Sequence, residues 1–290
     1  MIKRQLLSLV FCLSLSVTTF AKPFVFTAIP DQDETALQER FDKVAKYLSK
    51  TLDHEVKFVP VKSYAASVTA FRNDDVQLAW FGGLSGVRAR LLSEGSKAIA
   101  QGVDDPNFKS YFIANKSVIK EDIDATSKDI PAFITDKTFT FGSKGSTSGR
   151  LMPEFFLRKQ FEQSPEKIFD KVGYSGNHSR TIALVQSGAY QVGAVNYKVW
   201  QKELAAGKID TDKVSIVWQT PGYPDYQWTI RGDVDSDYGE NFSAKVTQAL
   251  LDLKDKTILD SFPRAGFIAA SNDDFQPVLD MAKDIGLIDQ

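Results

Sequence analysis

The chain alternates strand-like and helix-like segments, and this order limits its fold more than any other feature. Val25–Pro30 and Val56–Val61 are predicted strands, and Ala36–Leu52 between them has its apolar residues at the spacing of an amphipathic helix. A helix at Tyr64–Arg72 and a buried strand at Val76–Gly82 follow. Strands and helices in this order predict a parallel sheet with helices on both faces, and therefore an α/β protein.

A second series of the same kind begins near Phe139, and the segment Tyr226–Gly232 resembles a strand that returns to the first series. Two series with a return crossing predict two α/β lobes with a ligand cleft between them. We expect crossings near Ile113–Lys120 and Pro221–Trp228. The expected division is residues 1–21 as a signal peptide, residues 22–115 with 226–290 as lobe 1, and residues 116–225 as lobe 2.

The N-terminus has the pattern of a secretory signal. Lys3 and Arg4 precede an apolar run, Leu6–Val17, and Ala21 offers a small residue for cleavage. About 12 apolar residues are too few to cross a bilayer. We expect an exported protein whose mature chain begins near Lys22. The single cysteine, Cys12, lies in the apolar run, so the mature chain would have neither a disulfide nor a thiol nucleophile.

Composition argues against several classes of function. The net charge of −2 lacks the basic excess of a nucleic-acid-binding protein. The two histidines, His54 and His178, are far apart in sequence, and no HExxH or Cys/His cluster indicates a metal site. No G-x-S-x-G motif is present, and Ser146 sits among other donors, so Ser146 and His178 make a poor nucleophile and base. We expect no metal, no cofactor and no enzyme activity.

The segment FGSKGSTSGR, Phe141–Arg150, is termed the hydroxyl loop. It connects the predicted strand Thr138–Phe141 to a predicted helix, Leu151–Phe161, and contains Ser146, Thr147 and Ser148. A helix start presents free backbone N–H groups and a positive dipole end, which together favour a small oxyanion. The loop lacks the lysine of a P-loop. A simple turn with a Ser/Thr N-cap is the alternative interpretation.

Further candidate ligand-binding residues follow other predicted strands, where neutral donors and aromatic side chains suit a compact oxyanion. The structural alternatives are helix packing for Tyr64, helix capping for His178, a solvated lysine for Lys198 and a turn for Asp225. Phe81 ends a buried strand beside Trp80; Trp80 suits the core, whereas Phe81 could form a wall of the pocket. These candidates are Tyr64, Phe81, His178, Lys198 and Asp225.

Taken together, five segments give the chain a specific resemblance. In chain order they are Tyr64-Ala65-Ala66, AWFGGLSG, STSG, SGNH and VWQTP. Their combination resembles the PhnD-like phosphate, phosphite and phosphonate substrate-binding proteins of ABC transporters, over about residues 24–287. The resemblance implies a periplasmic binding protein of type II, whose two lobes close on an oxyanion and present it to an inner-membrane ABC permease. The size of the chain leads us to expect a monomer.

The resemblance also implies roles for single residues. The hydroxyls of the loop would grip the oxyanion, and Tyr64 and His178 would donate to it. Phe81 stands where phosphonate-binding members often have a second tyrosine, and Asp225 matches an acidic residue. Lys198 stands where aminoalkylphosphonate binders have a carboxylate; a lysine would repel the ammonium of such a ligand.

We therefore expect an oxyanion without an aminoalkyl tail, in the phosphonate, phosphite or phosphate class. Selenate is an alternative, because STSGRLMP, YPDYQWTIRGD and GFIAAS look like a selenate-binding subgroup. A binding protein that passes its ligand state to a membrane receptor is a second alternative. An exported phosphoester hydrolase is the least supported.

Overall fold

The computed structural model describes residues 22–120 and 122–289. The predicted signal peptide, with Cys12, lies outside the described residues. The strands are β1 (Phe24–Ala28), β2 (Val56–Phe58), β3 (Leu78–Phe81), β4 (Lys97–Gly102), β5 (Ser110–Asn115), β6 (Thr138–Phe141), β7 (Lys171–Tyr174), β8 (Val192–Asn196), β9 (Val214–Gln219), β10 (Gln227–Ile230) and β11 (Phe267–Ala269).

Helices cover the sheets, and the predicted helix Tyr64–Arg72 has the bounds that the sequence indicated. The helices are α1 (Glu34–Leu52), α2 (Tyr64–Arg72), α3 (Gly83–Leu91), α4 (Met152–Phe161), α5 (Pro165–Ile168), α6 (His178–Gln186), α7 (Tyr197–Ala205), α8 (Val234–Tyr238), α9 (Phe242–Leu251), α10 (Lys256–Leu259) and α11 (Gln276–Asp284). In the part of the chain that the structure describes, no helix is both long and apolar enough to span a membrane.

The longest helix, α1, shows how local sequence sets these elements. The carboxylate of Asp33 accepts hydrogen bonds from the N–H groups of Thr35 and Ala36 and so caps the N-terminus. Phe41 and Val44 belong to a buried apolar stripe that packs on the sheet. The helix ends where Asp53 adopts a left-handed conformation, φ 48°.

The strands form two mixed sheets. The first has the order β11-β4-β10-β3-β1-β2 and the second the order β7-β6-β8-β5-β9. The expectation of purely parallel sheets is wrong, because β10 is antiparallel to β3 and β4, and β5 is antiparallel to β8 and β9. Both strands follow a crossing between the sheets. In its new sheet, each runs in the opposite direction to the two strands beside it.

Two chain segments cross between the sheets. The first lies between β4 and β5, and the second between β9 and β10. They pair with each other: Phe108 N–H donates to the Tyr223 carbonyl at 2.8 Å, and Tyr223 N–H donates to the Phe108 carbonyl at 3.0 Å. The second crossing lies close to its predicted place. The first comes earlier than predicted, because strand Ser110–Asn115, expected in lobe 1, pairs in the second sheet.

Each sheet has its own apolar core. Phe26, Trp80 and Trp228 are among the fully buried side chains of the first sheet. Phe112 and Phe139 lie in the core of the second. Two separately packed sheets, joined by a pair of crossing segments, define two lobes that can move relative to each other at the crossings.

Candidate functional site

The hydroxyl loop lies on the second lobe, between β6 and α4. The Ser146 Oγ accepts a hydrogen bond from Gly149 N–H at 2.9 Å and caps a π-helical turn, Thr147–Leu151, that leads into α4. The N–H groups of Thr147 and Ser148 open this turn, where a helix has no internal acceptors for them. Ser146, Thr147 and Ser148 are all buried.

The two cations of the loop, Lys144 and Arg150, have their contacts elsewhere: Lys144 is exposed, and its Nζ lies 5.0 Å from the centre of the Tyr174 ring. The Arg150 guanidinium forms an ion pair with the buried Glu154 and lies 4.5 Å from the centre of the Phe141 ring. The remaining buried donors of the loop are therefore hydroxyls and backbone N–H groups, which are neutral.

The N-terminus of α3, on the first lobe, meets the hydroxyl loop. Leu84 N–H donates to the Thr147 Oγ1 at 3.0 Å, and Gly83 N–H donates to the Asp225 Oδ1 at 2.8 Å. A Cβ atom at Gly82 would come within 3.1 Å of that carboxylate oxygen and 3.3 Å of the Thr147 Oγ1. The close approach of the two lobes at this point therefore favours glycine, because a methyl group would displace one of these oxygens by a few tenths of an ångström.

His178 is the first residue of α6, and its ring is buried against the loop. Asn196 N–H donates to the Nδ1 at 3.3 Å, which leaves the proton of the neutral ring on Nε2. Burial lowers the pKa of His178 to about 4, against the opposing charge of Asp31, so the ring is neutral near pH 7. The Nε2 is buried and has no partner among the described residues. His178 is thus a neutral donor.

Tyr64 is the first residue of α2 and lies on the other side of the loop. A Cβ atom at Gly145 would be 3.0 Å from the Cβ of Tyr64. Burial raises the pKa of Tyr64 well above its usual value; Asp31 adds to this rise and the Ser146 hydroxyl opposes it. The phenol therefore stays protonated. Within the described ranges its oxygen makes no hydrogen bond of normal geometry, although the Ser146 hydroxyl is close to it.

Asp225 lies in the second crossing segment and is buried. Burial raises its pKa to about 7, while the Thr147 hydroxyl and Gly83 N–H act in the opposite direction. Its Oδ1 accepts from Gly83, but its Oδ2 finds no partner in residues 22–120 and 122–289. The carboxyl group therefore has one oxygen free beside the loop.

The structure adds Asp31, which the sequence analysis did not include. Its carbonyl oxygen accepts from His178 N–H at 3.0 Å, and its Oδ2 accepts from the Tyr226 hydroxyl at 2.8 Å. The buried Oδ1 has no partner in the described part of the chain. Asp31 comes shortly after β1, so inspecting the end of that strand as well would have identified it.

In the described part of the chain, buried polar atoms without partners thus gather in and around the hydroxyl loop, on residues of both lobes. Leaving such an atom unsatisfied costs about 1–3 kcal/mol, so several around one loop indicate a ligand-binding site. The atoms are Tyr64 Oη, Ser148 Oγ, His178 Nε2, Asp31 Oδ1 and Asp225 Oδ2. No group of three or more metal-ligating side chains occurs in the described residues.

Two of the candidate residues have their contacts elsewhere. The Phe81 ring is buried in the core of the first lobe and packs edge-on against Phe71. The Lys198 Nζ forms an ion pair with the Asp104 Oδ2 at 2.8 Å, in the first crossing segment. In the described residues, no contact brings either side chain to the atoms around the hydroxyl loop. The sequence does not reveal the Lys198 pair, because its partner is 94 residues away.

Two α/β lobes around a buried site with neutral donors define a periplasmic binding protein of type II. The family described as "ABC transporter, phosphonate, periplasmic substrate-binding protein" matches residues 26–275. The chain belongs to this family, which confirms the resemblance and the fold class expected from the sequence. It is a substrate-binding component of an ABC transporter for the phosphonate and phosphite class of ligand, and not an enzyme.

Individual relatives agree with this assignment. The chain is 41% identical over 280 residues to a probable ABC transporter phosphite binding protein, PhnD1, of Prochlorococcus marinus MIT 9301, covering 94% of each chain. The structure of PhnD1 in complex with methylphosphonate superposes with a TM-score of 0.86 at 40% identity, covering 92% of this chain and 99% of PhnD1.

More distant relatives are also similar. The phosphonates-binding periplasmic protein of Escherichia coli K12 is 24% identical over 206 residues, covering 70% of this chain and 59% of that protein. A binding protein of a Pseudomonas aeruginosa phosphonate transporter has the same fold, with a TM-score of 0.76 at 21% identity, covering 93% of this chain and 90% of that one.

Proposed function

We propose that this protein captures a small phosphorus oxyanion without a charged tail, methylphosphonate or phosphite, in the periplasm and delivers it to an inner-membrane ABC permease. One observation carries the proposal: among the described residues, three buried neutral donors in and beside the hydroxyl loop lack partners, namely the Tyr64 hydroxyl, the Ser148 hydroxyl and the His178 Nε2. Such donors hold an oxyanion by hydrogen bonds and bring no fixed positive charge. The 41% identical relative is described as a phosphite binding protein.

The hydroxyl loop, Tyr64, His178 and Asp225 are the proposed ligand contacts. Closure of the lobes would complete the site, because Tyr64 and α3 belong to the first lobe and the loop and His178 to the second. The protein would act as a monomer after cleavage of residues 1–21. Ligand can stabilise the closed form only through contacts that the open form lacks.

Calorimetric titration with methylphosphonate, phosphite, phosphate, aminoethylphosphonate, sulfate and selenate tests the proposal. We expect tight binding of methylphosphonate or phosphite, and weak binding of aminoethylphosphonate. If aminoethylphosphonate alone binds tightly, the proposed ligand class is wrong.

The Ser148→Ala variant tests the role of the loop. Ser148 Oγ is buried and makes no hydrogen bond of normal geometry in the described residues, although it lies near Asp225 and Tyr223. Its removal should therefore cost the ligand a donor and the protein little. Loss of a hydrogen bond to a charged ligand costs about 1.5–3 kcal/mol, or roughly tenfold to a hundredfold in affinity. Ser143→Ala is the matched control, since Ser143 lies in the same loop and is only half-buried. Equal affinities of the two variants would remove Ser148 from the site.

A further inference from the structure

Two carboxyl groups beside an anion-binding loop need an explanation. Asp225 and Asp31 are at most 3% exposed, and each has one oxygen without a partner in the described chain. A carboxylate next to an oxyanion is repelled by it unless a proton lies between them. The position of the two carboxyl groups should therefore influence which protonation state of the ligand binds.

Asp225 faces the part of the ligand that the loop grips. Its Oδ1 is fixed by Gly83 N–H, and the hydroxyls of Thr147 and Ser148 approach the same carboxyl group closely enough to lower its pKa. These are the hydroxyls proposed to hold the oxyanion. The free Oδ2 of Asp225 is thus placed to contact the oxyanion itself, not a tail that extends away from it.

Asp31 lies on the opposite side, near Tyr64 and His178. The charge of Asp31 acts on both, raising the pKa of Tyr64 after the larger effect of burial, and opposing the burial that lowers the pKa of His178. A second negative charge there disfavours a dianion further. The titratable and charged groups that face Asp31 are Arg40, Lys202, His178, Tyr64 and Tyr226. Those that face Asp225 are Asp105, Tyr64, Tyr223 and Tyr226.

We propose that Asp225 shares one proton with a ligand oxygen through its Oδ2, and that Asp225 and Asp31 together select oxyanions that bind with a proton and reject sulfate and selenate. The inference rests on the proposed function. Phosphonates, phosphite and phosphate pass from the monoanion to the dianion in the neutral range, at about pH 6 for a phosphate monoester. Sulfate and selenate carry no proton there, so they leave both carboxylates facing an unprotonated dianion.

The test compares the purified protein with its Asp225→Asn variant. Asparagine keeps the shape but offers an N–H donor and no charge. In the wild type at pH 7.5 we expect methylphosphonate to bind at least about a hundredfold more tightly than sulfate or selenate, and Asp225→Asn to reduce this ratio at least tenfold. Asp31→Asn should reduce it in the same direction. Asp129→Asn, the same change at an exposed position, should leave the ratio as in the wild type.

The pH dependence of the wild type gives a second test that needs no variant. If sulfate binds only with a proton on Asp225, its affinity should increase about tenfold for each pH unit of acidification above the pKa of that group. Titration of methylphosphonate in two buffers of different ionisation enthalpy should show uptake of a proton at pH 8.

The outcomes separate the two proposals. If the wild type binds none of these oxyanions, the proposed function fails. If the wild type binds methylphosphonate but its affinity for sulfate at pH 7.5 is within tenfold of that for methylphosphonate, the proposed selection of protonated ligands is wrong. It is also wrong if Asp225→Asn keeps the wild-type ratio of these two affinities. Tighter binding of aminoethylphosphonate than of methylphosphonate would also overturn it, because the carboxylates would then serve an ammonium group.

Discussion

His178 and Asp225 are buried titratable groups whose pKa values move in opposite directions. The pKa of His178 falls from 6.5 to about 4, and the pKa of Asp225 rises from 3.8 to about 7. Burial is the main cause in both cases. In each case the neutral form is the one that suits the buried site. Their effects on stability therefore oppose each other over the same pH range.

The pH dependence of the stability of the protein without ligand should report on these two groups. Between pH 6.5 and about 4 the unfolded chain protonates His178 and the folded chain does not, so this group lowers stability as the pH falls. Between pH 3.8 and about 7 the folded chain keeps the Asp225 proton that the unfolded chain loses, so this group lowers stability as the pH rises. Each effect is on the order of 3 to 4 kcal/mol at most.

Urea unfolding of the His178→Asn and Asp225→Asn variants and of the wild type measures how each group changes the free energy of unfolding with pH. The stability of His178→Asn relative to the wild type should increase as the pH falls from 7 to 4.5. For Asp225→Asn the relative stability should increase as the pH rises over the same interval. A difference from the wild type that stays constant with pH, in either variant, would contradict the burial that underlies these shifts.

The residues of the site differ in how far the sequence could predict them. The sequence predicts where Ser146, Thr147 and Ser148 lie in the fold, because hydroxyl residues between a strand and a helix have a local meaning; their contact with a ligand stays a prediction. Asp31 depends on a contact with Tyr226, 195 residues away. Lys198 was expected to influence ligand choice, but its ammonium is paired with Asp104. Local pattern indicates which element a residue lies on, whereas its partners depend on how the two lobes meet.

At the level of elements, the N-terminus of α3 and the turn of the hydroxyl loop meet end to end. Leu84 N–H donates across the lobes to the Thr147 Oγ1, and Gly82 leaves room for that oxygen. Because three helical N-termini, those of α3, α6 and the turn, lie at the site, their dipoles add to the neutral donors. The arrangement favours negative charge without an arginine or lysine.

Gly82→Ala should disturb this meeting of elements. The added methyl would lie 3.1 Å from the Asp225 Oδ1 and 3.3 Å from the Thr147 Oγ1, so one of the two must move. We expect the affinity for methylphosphonate to fall about tenfold or more, since the displaced groups are proposed ligand contacts. Gly266→Ala is the control, because a Cβ there meets nothing within 4 Å. Calorimetry that gives equal affinities for both variants would contradict this role of the α3 N-terminus.

Elements were more predictable than their directions. The sequence predicted β10 as a returning strand, but only the structure shows that it lies antiparallel between β3 and β4. Strand direction depends on where the chain re-enters a sheet, and apolar periodicity carries no information on that. The same reason explains why β5, expected in lobe 1, belongs to the second sheet.

On the scale of the whole molecule, the two lobes meet across the site as well as at the crossings. Asp31 accepts from His178 across the lobes, and Tyr226 accepts from Asn196 Nδ2 at 2.9 Å. Together with the bond between Leu84 and Thr147, these contacts hold a closed form. Opening would break them, while the paired crossing segments at Phe108 and Tyr223 stay together as the hinge.

A substitution that blocks closure should separate folding from binding. A side chain at position 145 would meet Tyr64 of the other lobe at 3.0 Å between Cβ atoms, so Gly145→Val acts as a wedge between the lobes. Each lobe keeps its own core, and we expect the unfolding midpoint without ligand to change little. The affinity for methylphosphonate should fall at least about tenfold, because the closed form becomes less accessible to ligand.

Small-angle scattering with and without methylphosphonate checks the mechanism directly. The wild type should become more compact on binding, and Gly145→Val should not, even at ligand concentrations that occupy its remaining site. Gly266→Val, which adds the same side chain where nothing lies within 4 Å of the added Cβ, should behave as the wild type. If Gly145→Val closes and binds as the wild type does, the contact between the hydroxyl loop and α2 does not limit closure, and the ligand would have to be held without the approach of Tyr64.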